Sequence, residues 1–306
     1  MARLGSTDLD VFPLCLGGNV FGWTADETQT FAVLDAYAAA GGNFIDTADV
    51  YSSWVPGHTG GESETLIGRW LATRSDRDAL VIATKVGYQR DLTRATILES
   101  AERSLERLAT DRIDLYYAHH DDPNTPMEET LGAFGELIAA GRVRHIAASN
   151  FSAARLRQAL DLAAREGLPA YVALQNEFNL VSRDYERDLV PLVAERGLAS
   201  IPYYSLAAGF LTGKYRPGAP TVESPRAQGA LARLDARGLA VLDALGEVAA
   251  AHHTNHAAVA LAWLAAQPTV LAPIASARTV EQLEQLLAFP TLTLTPAELD
   301  TLSRAG

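Results

Sequence analysis

The chain has 306 residues, of which 48% are hydrophobic and 20% are charged. These proportions are typical of globular proteins and exclude a disordered or fibrous chain, and the length accommodates a (β/α)8 barrel of roughly 250 residues with insertions as one domain over 1–306. The formal net charge is −12, and no run of Lys and Arg supplies the basic surface that a nucleic-acid partner would require.

Short β-rich runs alternate with amphipathic stretches along most of the chain. The runs predict eight strands, at 13–18, 43–48, 80–86, 113–119, 143–149, 171–177, 199–205 and 270–276. Apolar residues at three- and four-residue spacing predict helices near 26–40, 61–74, 93–109, 126–140, 152–167, 184–196, 238–266 and 279–288, with a last helix at 295–304. Strands that alternate with helices form parallel sheets. We therefore predict an α/β fold, a (β/α)8 TIM barrel preceded by a short hairpin at 2–12.

Two segments are longer than ordinary connections. The segment 215–237 follows the seventh predicted strand and is interrupted by Pro and Gly, which predicts a flexible flap. The segment 52–61 follows the second predicted strand and carries Trp54. Both follow the C-terminal ends of strands, which is the end of a TIM barrel that carries the active site.

Four residues with acid, base or hydrogen-bonding chemistry lie at or just after strand ends: Asp46, Tyr51, Lys85 and His119. A phenol has a pKa near ~10 and needs help to give up a proton near neutral pH. We expect Lys85 to stabilise the phenolate of Tyr51, Asp46 to keep the ammonium charged, and His119 to orient a substrate carbonyl. This pattern favours a catalytic site with Tyr51 as proton donor.

The order of these motifs resembles that of the aldo-keto reductases, over essentially the whole chain, and in particular their bacterial and potassium-channel-β-subunit-like branch. The segments that carry the resemblance are Asp46 to Tyr51, Gly61 to Glu64, Thr84-Lys85, Asp114 to His119, Ala148 to Phe151, Tyr203 to Leu206 and Leu211 to Tyr215. The resemblance implies an oxidoreductase that reduces a small-molecule carbonyl substrate with NADP(H).

The same resemblance assigns a set of cofactor contacts. They are Ser149, Asn150, Gln175, Tyr204, Ser205, Leu206, Lys214, Ser276, Arg278, Gln282 and Gln285. Tyr204 would stack on the nicotinamide, and Arg278 would face the 2′-phosphate of NADP, because a guanidinium matches a phosphate in charge and geometry. The chain departs from the family at Leu286, where many members have an Asn that binds adenine, so we expect a looser adenine contact.

Aromatic residues on the strand-end loops are candidates for the substrate pocket. Phe21, Trp54 and His120 are predicted to line it, whereas Trp23 and Tyr88 either line it or pack beneath a loop.

Other interpretations remain at this stage. Potassium-channel β subunits share the barrel and its NADP site, so a cofactor-sensing regulatory protein with little turnover is the main alternative. An aldolase with a Schiff base on Lys85 is disfavoured, because Asp46 would keep that lysine charged. We predict no metal site. His252, His253 and His256 span a predicted helix break, and the adjacent Asp121 and Asp122 are predicted to be solvated or to cap a helix.

The remaining sequence features concern location. The lone Cys15 has apolar neighbours and cannot form an internal disulfide, which suits a reducing compartment. No segment approaches the ~20 apolar residues of a membrane-spanning helix. We expect a cytoplasmic protein without a membrane partner; the sequence leaves oligomeric partners open.

Overall fold

The computed structural model describes residues 1–218 and 224–306. The chain begins with an antiparallel hairpin of β1 (Ala2–Arg3) and β2 (Asp10–Val11), in which Ala2 pairs with Val11. Leu4 and Val11 are buried in the same apolar cluster as the inward-facing side chains of the large sheet. The hairpin predicted over 2–12 is therefore confirmed, and it packs against the interior of the main sheet.

Eight parallel strands form the main sheet. They are β3 (Cys15–Gly17), β4 (Phe44–Asp46), β5 (Val81–Val86), β6 (Ile113–Ala118), β7 (Val143–Ser149), β8 (Ala173–Gln175), β9 (Ala199–Ser200) and β10 (Ile274–Ala275). Their order is β10-β3-β4-β5-β6-β7-β8-β9. Backbone hydrogen bonds join the two edges, since Leu271 N donates to Ser200 O at 2.9 Å and Ile274 N to Pro202 O at 2.9 Å. The sheet closes into a barrel, as predicted.

Helices follow the strands and cover the barrel. They are α1 (Glu27–Ala39), α2 (Glu62–Leu71), α3 (Arg94–Leu108), α4 (Met127–Ala139), α5 (Ala153–Glu166), α6 (Asp184–Glu195), α7 (Ala227–Leu231), α8 (Ala236–Ala251), α9 (His256–Ala265), α10 (Val280–Leu287) and α11 (Pro296–Ala305). The repeated βα order confirms the predicted (β/α)8 TIM-barrel class. In the described residues, no helix is long and apolar enough to span a membrane.

The helical stretch predicted at 238–266 divides at the turn that the sequence indicated. Asn255 begins α9, and its side chain accepts a hydrogen bond from Ala258 N at 2.9 Å, which caps the new helix. The strand predicted at 199–205 ends at Ser200, and the residue after next, Pro202, has no N–H to continue a ladder. Of the predicted flap at 215–237, residues 219–223 lie outside the described part of the chain.

Alternation along the strands separates an inner from an outer apolar cluster. Cys15, Phe44 and Ala83 belong to the inner cluster, whereas their neighbours Leu16 and Ile82 belong to the outer one under the helices. A strand's side chains point to opposite faces with a period of two. Residues that lie an even number of positions from these inner ones therefore face the barrel interior. This alternation determines which side chains can reach a site inside the barrel.

Candidate active site

The four predicted catalytic residues, Asp46, Tyr51, Lys85 and His119, are called the tetrad below. Three of them lie on the inner face of the sheet, at the same end of the barrel. Asp46 lies two residues after Phe44, Lys85 two after Ala83, and His119 two after Tyr117. Asp46 ends β4, Lys85 is the next-to-last residue of β5, and His119 directly follows β6. Tyr51 reaches the same place from the turn that follows β4.

Lys85 is the centre of the hydrogen-bond network, and its side chain is fully buried. Its Nζ donates to Asp46 Oδ2 at 2.6 Å, to the carbonyl oxygen of Thr47 at 2.7 Å and to Tyr51 Oη at 3.0 Å. Gln175 Nε2 donates to the other carboxylate oxygen of Asp46 at 2.9 Å. All three ammonium donors are thus used, and the buried charge has a paired, hydrogen-bonded environment.

Tyr51 remains partly exposed at the end of this network. Its hydroxyl lies 3.3 Å from Asp46 Oδ2, a long contact that a substrate oxygen can replace. Burial of the hydroxyl, followed by the negative charge of Asp46, raises the pKa of Tyr51 well above its ordinary value. The direction of this shift is thus opposite to the one that the charge of Lys85 alone would cause. Tyr51 is therefore a neutral phenol near pH 7 and keeps a proton to donate.

His119 is buried beside Tyr51, with ring centroids 6.2 Å apart. Its Nδ1 is buried and has no hydrogen-bond partner among the described residues. Burial, then the positive charge of Lys85 and that of His120, lowers the pKa of His119 well below its ordinary value. The ring is neutral near pH 7, so one ring nitrogen carries a proton and can donate it to a hydrogen bond.

The C-terminal ends of β7 and β8 place a group of polar side chains beside the tetrad. Ser149 Oγ donates to the carbonyl oxygen of Gln175 at 2.8 Å, and Asn150 Nδ2 donates to that of His119 at 2.9 Å. Tyr203, which the sequence analysis did not select, donates its hydroxyl to Asn150 Oδ1 at 2.8 Å. Asn150 is thereby held in the left-handed region, at φ 57°. These contacts fix Ser149 and Asn150, two of the predicted cofactor contacts, in one orientation.

The segment after β9 carries the next predicted contacts in a tight coil. Tyr204 has φ 52° and is 47% exposed, and its carbonyl accepts from Asn179 Nδ2 at 3.0 Å. Ser205 Oγ donates to Pro202 O at 3.1 Å, and Leu206 is half-buried with its carbonyl accepting from Gly209 N at 2.9 Å. Non-glycine residues in the left-handed region are strained and cluster at functional sites. The coil holds the exposed ring of Tyr204 beside the mouth.

Three cations gather beyond Tyr204: Lys214, Arg226 and Arg278. Loss of hydration lowers the pKa of Lys214, and the charges of Arg278 and Arg226 lower it further. Burial is the main cause of the lowered pKa of Arg226, which also interacts electrostatically with Tyr204, Tyr51 and Arg278. Within the described residues none of the three has a salt-bridge partner. Such a cluster attracts anions.

Arg226 is the residue of this cluster that the sequence analysis missed. It lies just before α7, in a segment whose Pro and Gly content indicated a flap but no particular contact. Its guanidinium carbon sits 5.3 Å from the ring centroid of Trp23. A lone Arg in a long polar loop carries no periodicity, so only its position in the fold identifies it.

The last predicted contacts surround the start of α10. Ser276 Oγ donates to Asn19 Oδ1 at 2.7 Å, and Gln282 Oε1 accepts from the backbone N–H of Arg278 at 3.0 Å. Gln285 is exposed, and its carbonyl accepts from Asn255 Nδ2 at 3.1 Å. Leu286, at the position where the family pattern has an Asn, is buried in the outer core. It contributes to packing and offers no polar group at the surface.

The predicted substrate pocket is corrected at one position. Phe21 is fully buried, and its carbonyl accepts a hydrogen bond from Ser52 Oγ at 2.9 Å, so it packs beneath the loop instead of lining an accessible pocket. Trp54 is 48% exposed and lies 6.1 Å from Tyr51 between ring centroids. His120 is half-buried, and Tyr88 is 54% exposed beside it.

Three of the residues considered for metal binding, His252, Asp121 and Asp122, have protein partners. His252 Nε2 lies 2.8 Å from Glu298 Oε1, and Arg155 contacts Asp121 through two nitrogens at 2.7 and 2.8 Å. Asp122 accepts from Leu92 N and from Thr125 Oγ1. Over residues 1–218 and 224–306, no group of three or more His, Cys, Asp or Glu side chains has the arrangement of a metal site.

The sequence is similar to those of known proteins over most of its length. Residues 13–306 match the model of the Aldo/keto reductase family. The chain is 34% identical to the uncharacterized oxidoreductase YrpG of Bacillus subtilis (strain 168), over 93% of this chain and 89% of YrpG. It is 35% identical to the norsolorinic acid reductase stcV of Emericella nidulans, over 90% of this chain and 73% of the relative. Protein tas of Escherichia coli (strain K12) is 32% identical, over 92% and 90% respectively.

Proposed function

The chain belongs to the aldo/keto reductase family and is an oxidoreductase, and on that premise we propose that it reduces an aldehyde or ketone to an alcohol with NADPH, taking the proton from Tyr51. The observation that carries the proposal is the hydrogen bond from Lys85 Nζ to Tyr51 Oη. The charge of this ammonium is balanced by its ion pair with Asp46. This bond leaves the O–H of Tyr51 as the group that can be donated.

In the proposed reaction the carbonyl oxygen accepts hydrogen bonds from Tyr51 Oη and from the neutral ring of His119. As negative charge develops on that oxygen, the Tyr51 proton moves to it, and the nearby Lys85 ammonium stabilises the phenolate that remains. His119 holds the oxygen in place, because its lowered pKa keeps it a neutral donor. The protein contributes positioning and electrostatic stabilisation.

The charges and hydrogen-bonding groups of the described residues match those of a nicotinamide dinucleotide phosphate. Lys214, Arg226 and Arg278 would hold its phosphates, Ser149, Asn150 and Gln175 its carboxamide, and Tyr204 would stack on the nicotinamide. Support for the phosphate assignment comes from the gathering of the three cations, since a bound anion would relieve their repulsion. Burial and then the charges of Arg278 and Arg226 lower the pKa of Lys214, and burial and the charge of Arg278 lower that of Arg226. When bound, the cofactor supplies the hydride. Arg278 is the residue we assign to the 2′-phosphate.

The catalytic part of the proposal is tested by following NADPH oxidation with a panel of aldehydes, for the native chain and for Tyr51→Phe. We expect the phenylalanine variant to lose on the order of 10³-fold in kcat/KM, since it removes the donated proton and keeps the ring. The Kd for NADPH, measured from the quenching of Trp fluorescence, should be unchanged. Tight NADPH binding with no turnover by the native chain would instead favour a cofactor-sensing regulatory protein.

The cofactor preference is tested separately with Arg278→Ala. We expect the Kd for NADPH to rise by at least tenfold, because a charge-assisted contact to the 2′-phosphate is lost. The Kd for NADH should change by less than about twofold, since NADH lacks that phosphate. Equal losses for the two cofactors would overturn the assignment of Arg278 to the 2′-phosphate and leave the Tyr51 proposal standing.

A further inference from the structure

Below the tetrad, toward the barrel interior, lies a large buried ring that the catalytic proposal does not use, that of Tyr117. The residue belongs to β6, where it pairs in register with Lys85 of β5 and precedes His119 by two positions. It is a fully buried member of the inner apolar cluster, whereas its neighbours Ala83 and Ala147 in that cluster are small. Small side chains on the adjacent strands leave room for the ring to extend across the close-packed interior.

The side chain of Tyr117 reaches strands on the other side of the barrel. Burial raises the pKa of Tyr117 well above its ordinary value, followed by electrostatic interactions with Asp46 and Cys15, while a contact with Gln175 acts in the opposite direction. Asp46 lies on β4 and Cys15 on β3, which are two and three strands away from β6 in the sheet. The hydroxyl end of Tyr117 is therefore close to the Asp46 carboxylate.

The ammonium of Lys85 lies between two tyrosine rings. Its Nζ is 4.8 Å from the ring centroid of Tyr51 and 5.7 Å from that of Tyr117. Both distances are within the range of cation–π attraction, which is strongest where water is excluded. Tyr51 is partly exposed toward the mouth, whereas Tyr117 is fully buried. Tyr117 thus covers the side of the ammonium that faces the barrel interior.

The hydroxyl of Tyr117 does not explain why a ring of this size stands here. It is buried, and among the described residues it has no hydrogen bond of normal geometry. A buried hydroxyl without a partner lowers stability, because it has given up its hydrogen bonds to water. We therefore attribute the contribution of Tyr117 to the space that its ring fills, which a phenylalanine would fill equally well.

Filling this space affects the proton of Tyr51. The three donors of Lys85 Nζ go to Asp46, to the carbonyl oxygen of Thr47 and to Tyr51. A water molecule beneath the ammonium would compete for these donors and would weaken the interactions of the ion pair, because water raises the local dielectric constant. Since burial is the largest cause of the raised pKa of Tyr51, water at this position would lower that pKa.

We propose that Tyr117 is a positioning residue whose ring closes the barrel beneath Lys85, excludes water from the Lys85–Asp46 ion pair and keeps the proton on Tyr51 until a substrate oxygen accepts it. The inference rests on the proposed reductase function. Tyr117 acts through Lys85 and Tyr51. Because Tyr51 must be protonated to donate, kcat/KM falls as the pH rises through the pKa of Tyr51. The pH at which this alkaline decline begins therefore reports whether the barrel is closed beneath the tetrad.

The test measures kcat/KM for an aldehyde with NADPH as a function of pH, for the native chain, Tyr117→Leu and Tyr117→Phe. Leucine is too short to reach Asp46, so water can enter a space that polar groups border. The alkaline decline of Tyr117→Leu should therefore begin about one pH unit lower than that of the native chain. Phenylalanine keeps the ring, so its decline should coincide with the native one. The charged or titratable groups that face Tyr51 are the same in all three chains: Asp46, Cys15, Lys85, His119 and Arg226.

Tyr116→Leu is the matched control. Tyr116 is the preceding residue of β6, is equally buried, and its hydroxyl also has no partner among the described residues. It faces the outer cluster, where its ring meets that of Phe134 edge to face at 5.6 Å. Tyr116→Leu should lose stability in urea to a degree similar to Tyr117→Leu and leave the alkaline decline at the native pH. If Tyr117→Leu does not fold, Tyr117→Met, which fills more of the space, should show a smaller shift in the same direction.

The outcomes separate this inference from the one on which it rests. A folded Tyr117→Leu with an unchanged alkaline decline, or an equal shift in Tyr116→Leu, would overturn the role of Tyr117 and leave the reductase standing. If the native chain reduces no aldehyde, the proposed function fails. The ionisation of Tyr51 is then measured from phenolate absorbance, as the difference between each chain and the same chain with Tyr51→Phe. Phenolate should still form at a lower pH in Tyr117→Leu, and an unchanged titration would contradict the closure of the barrel by Tyr117.

Discussion

The barrel buries one carboxylate near each end of its strands, and the two are surrounded differently. Asp46, at the C-terminal end of β4, pairs with the single ammonium of Lys85, and both side chains are essentially inaccessible. Asp114, near the start of β6, contacts Arg77 at 2.8 Å and Arg144 at 2.9 Å, and accepts from Ile82 N at 2.9 Å. Its arginine partners reach the surface, with 17% and 30% of their side chains exposed.

The difference shows that a buried ion pair is not by itself a sign of catalysis. The network of Asp46 continues through Lys85 to Tyr51, a group with a proton to give at an open mouth. The network of Asp114 continues through Arg144 to Asp8 of the N-terminal hairpin, at 2.7 Å, and from Asp8 to His145, at 2.8 Å, away from the mouth of the barrel. In TIM barrels the C-terminal ends of the strands carry the chemistry and the N-terminal ends carry stability. The same substitution at the two carboxylates should therefore give different results.

The largest effect is expected from Asp46→Asn. The amide cannot neutralise the buried ammonium of Lys85, so the network that supports the Tyr51 phenolate is lost. We expect kcat/KM for an aldehyde to fall on the order of 10³-fold. Steady-state kinetics on folded protein, verified by circular dichroism, measure it. A loss below tenfold would mean that Asp46 is not needed for proton donation.

Asp114→Asn should instead reduce stability. It leaves the guanidinium groups without their common carboxylate and weakens the bond to Ile82 N, and breaking such a buried network costs about 3 kcal/mol. Urea unfolding measures the free energy of unfolding. The kcat/KM of the folded variant should remain within about twofold of the native value. A large loss of activity without loss of stability would contradict the division of roles between the two ends.

Much of the fold and the convergence of the tetrad follow from local patterns. Eight β-rich runs predicted the barrel, and the period-two alternation of buried strands places Asp46 and Lys85 on its inner face. The position of Arg226 could not be predicted, because it depends on the path of a long loop. Nor could the burial of Phe21, since a residue in a tight turn has no alternation to show which way it faces.

The electrostatics of Tyr51 show a second limit of sequence reasoning. The sequence indicates that Lys85, Asp46 and Tyr51 come together, but the direction of a pKa shift depends on the balance of burial against charge. In the structure, burial and then the charge of Asp46 raise the pKa of Tyr51. Neighbouring residue types alone do not determine that balance, because it depends on depth and on distances of a few ångströms.

Asp49, a third and partly buried carboxylate, gives the smallest effect and the finest test of the comparison. Burial raises the pKa of Asp49 to about 7, as does the charge of Glu64, while Arg107, Arg90 and Lys85 oppose the shift. Unlike Asp46 and Asp114, it accepts no side-chain hydrogen bond from the described residues. Because burial outweighs the cations that lie near it, the carboxyl group of Asp49 is protonated at acidic pH.

The folded state therefore binds this proton more tightly than the unfolded state, where the pKa is ~3.9. Its contribution to stability is greatest at acidic pH and is lost as the pH rises toward 7. Asp49→Asn removes this dependence. Its free energy of unfolding relative to that of the native chain should therefore rise by about 2–3 kcal/mol between pH 5 and pH 8. Urea unfolding at both pH values measures the gap, with the exposed Asp111→Asn as a control whose gap should stay constant. A gap for Asp49→Asn that does not widen with pH would show that this carboxylate is ionised in the folded protein, and that nearby cations suffice without direct contact.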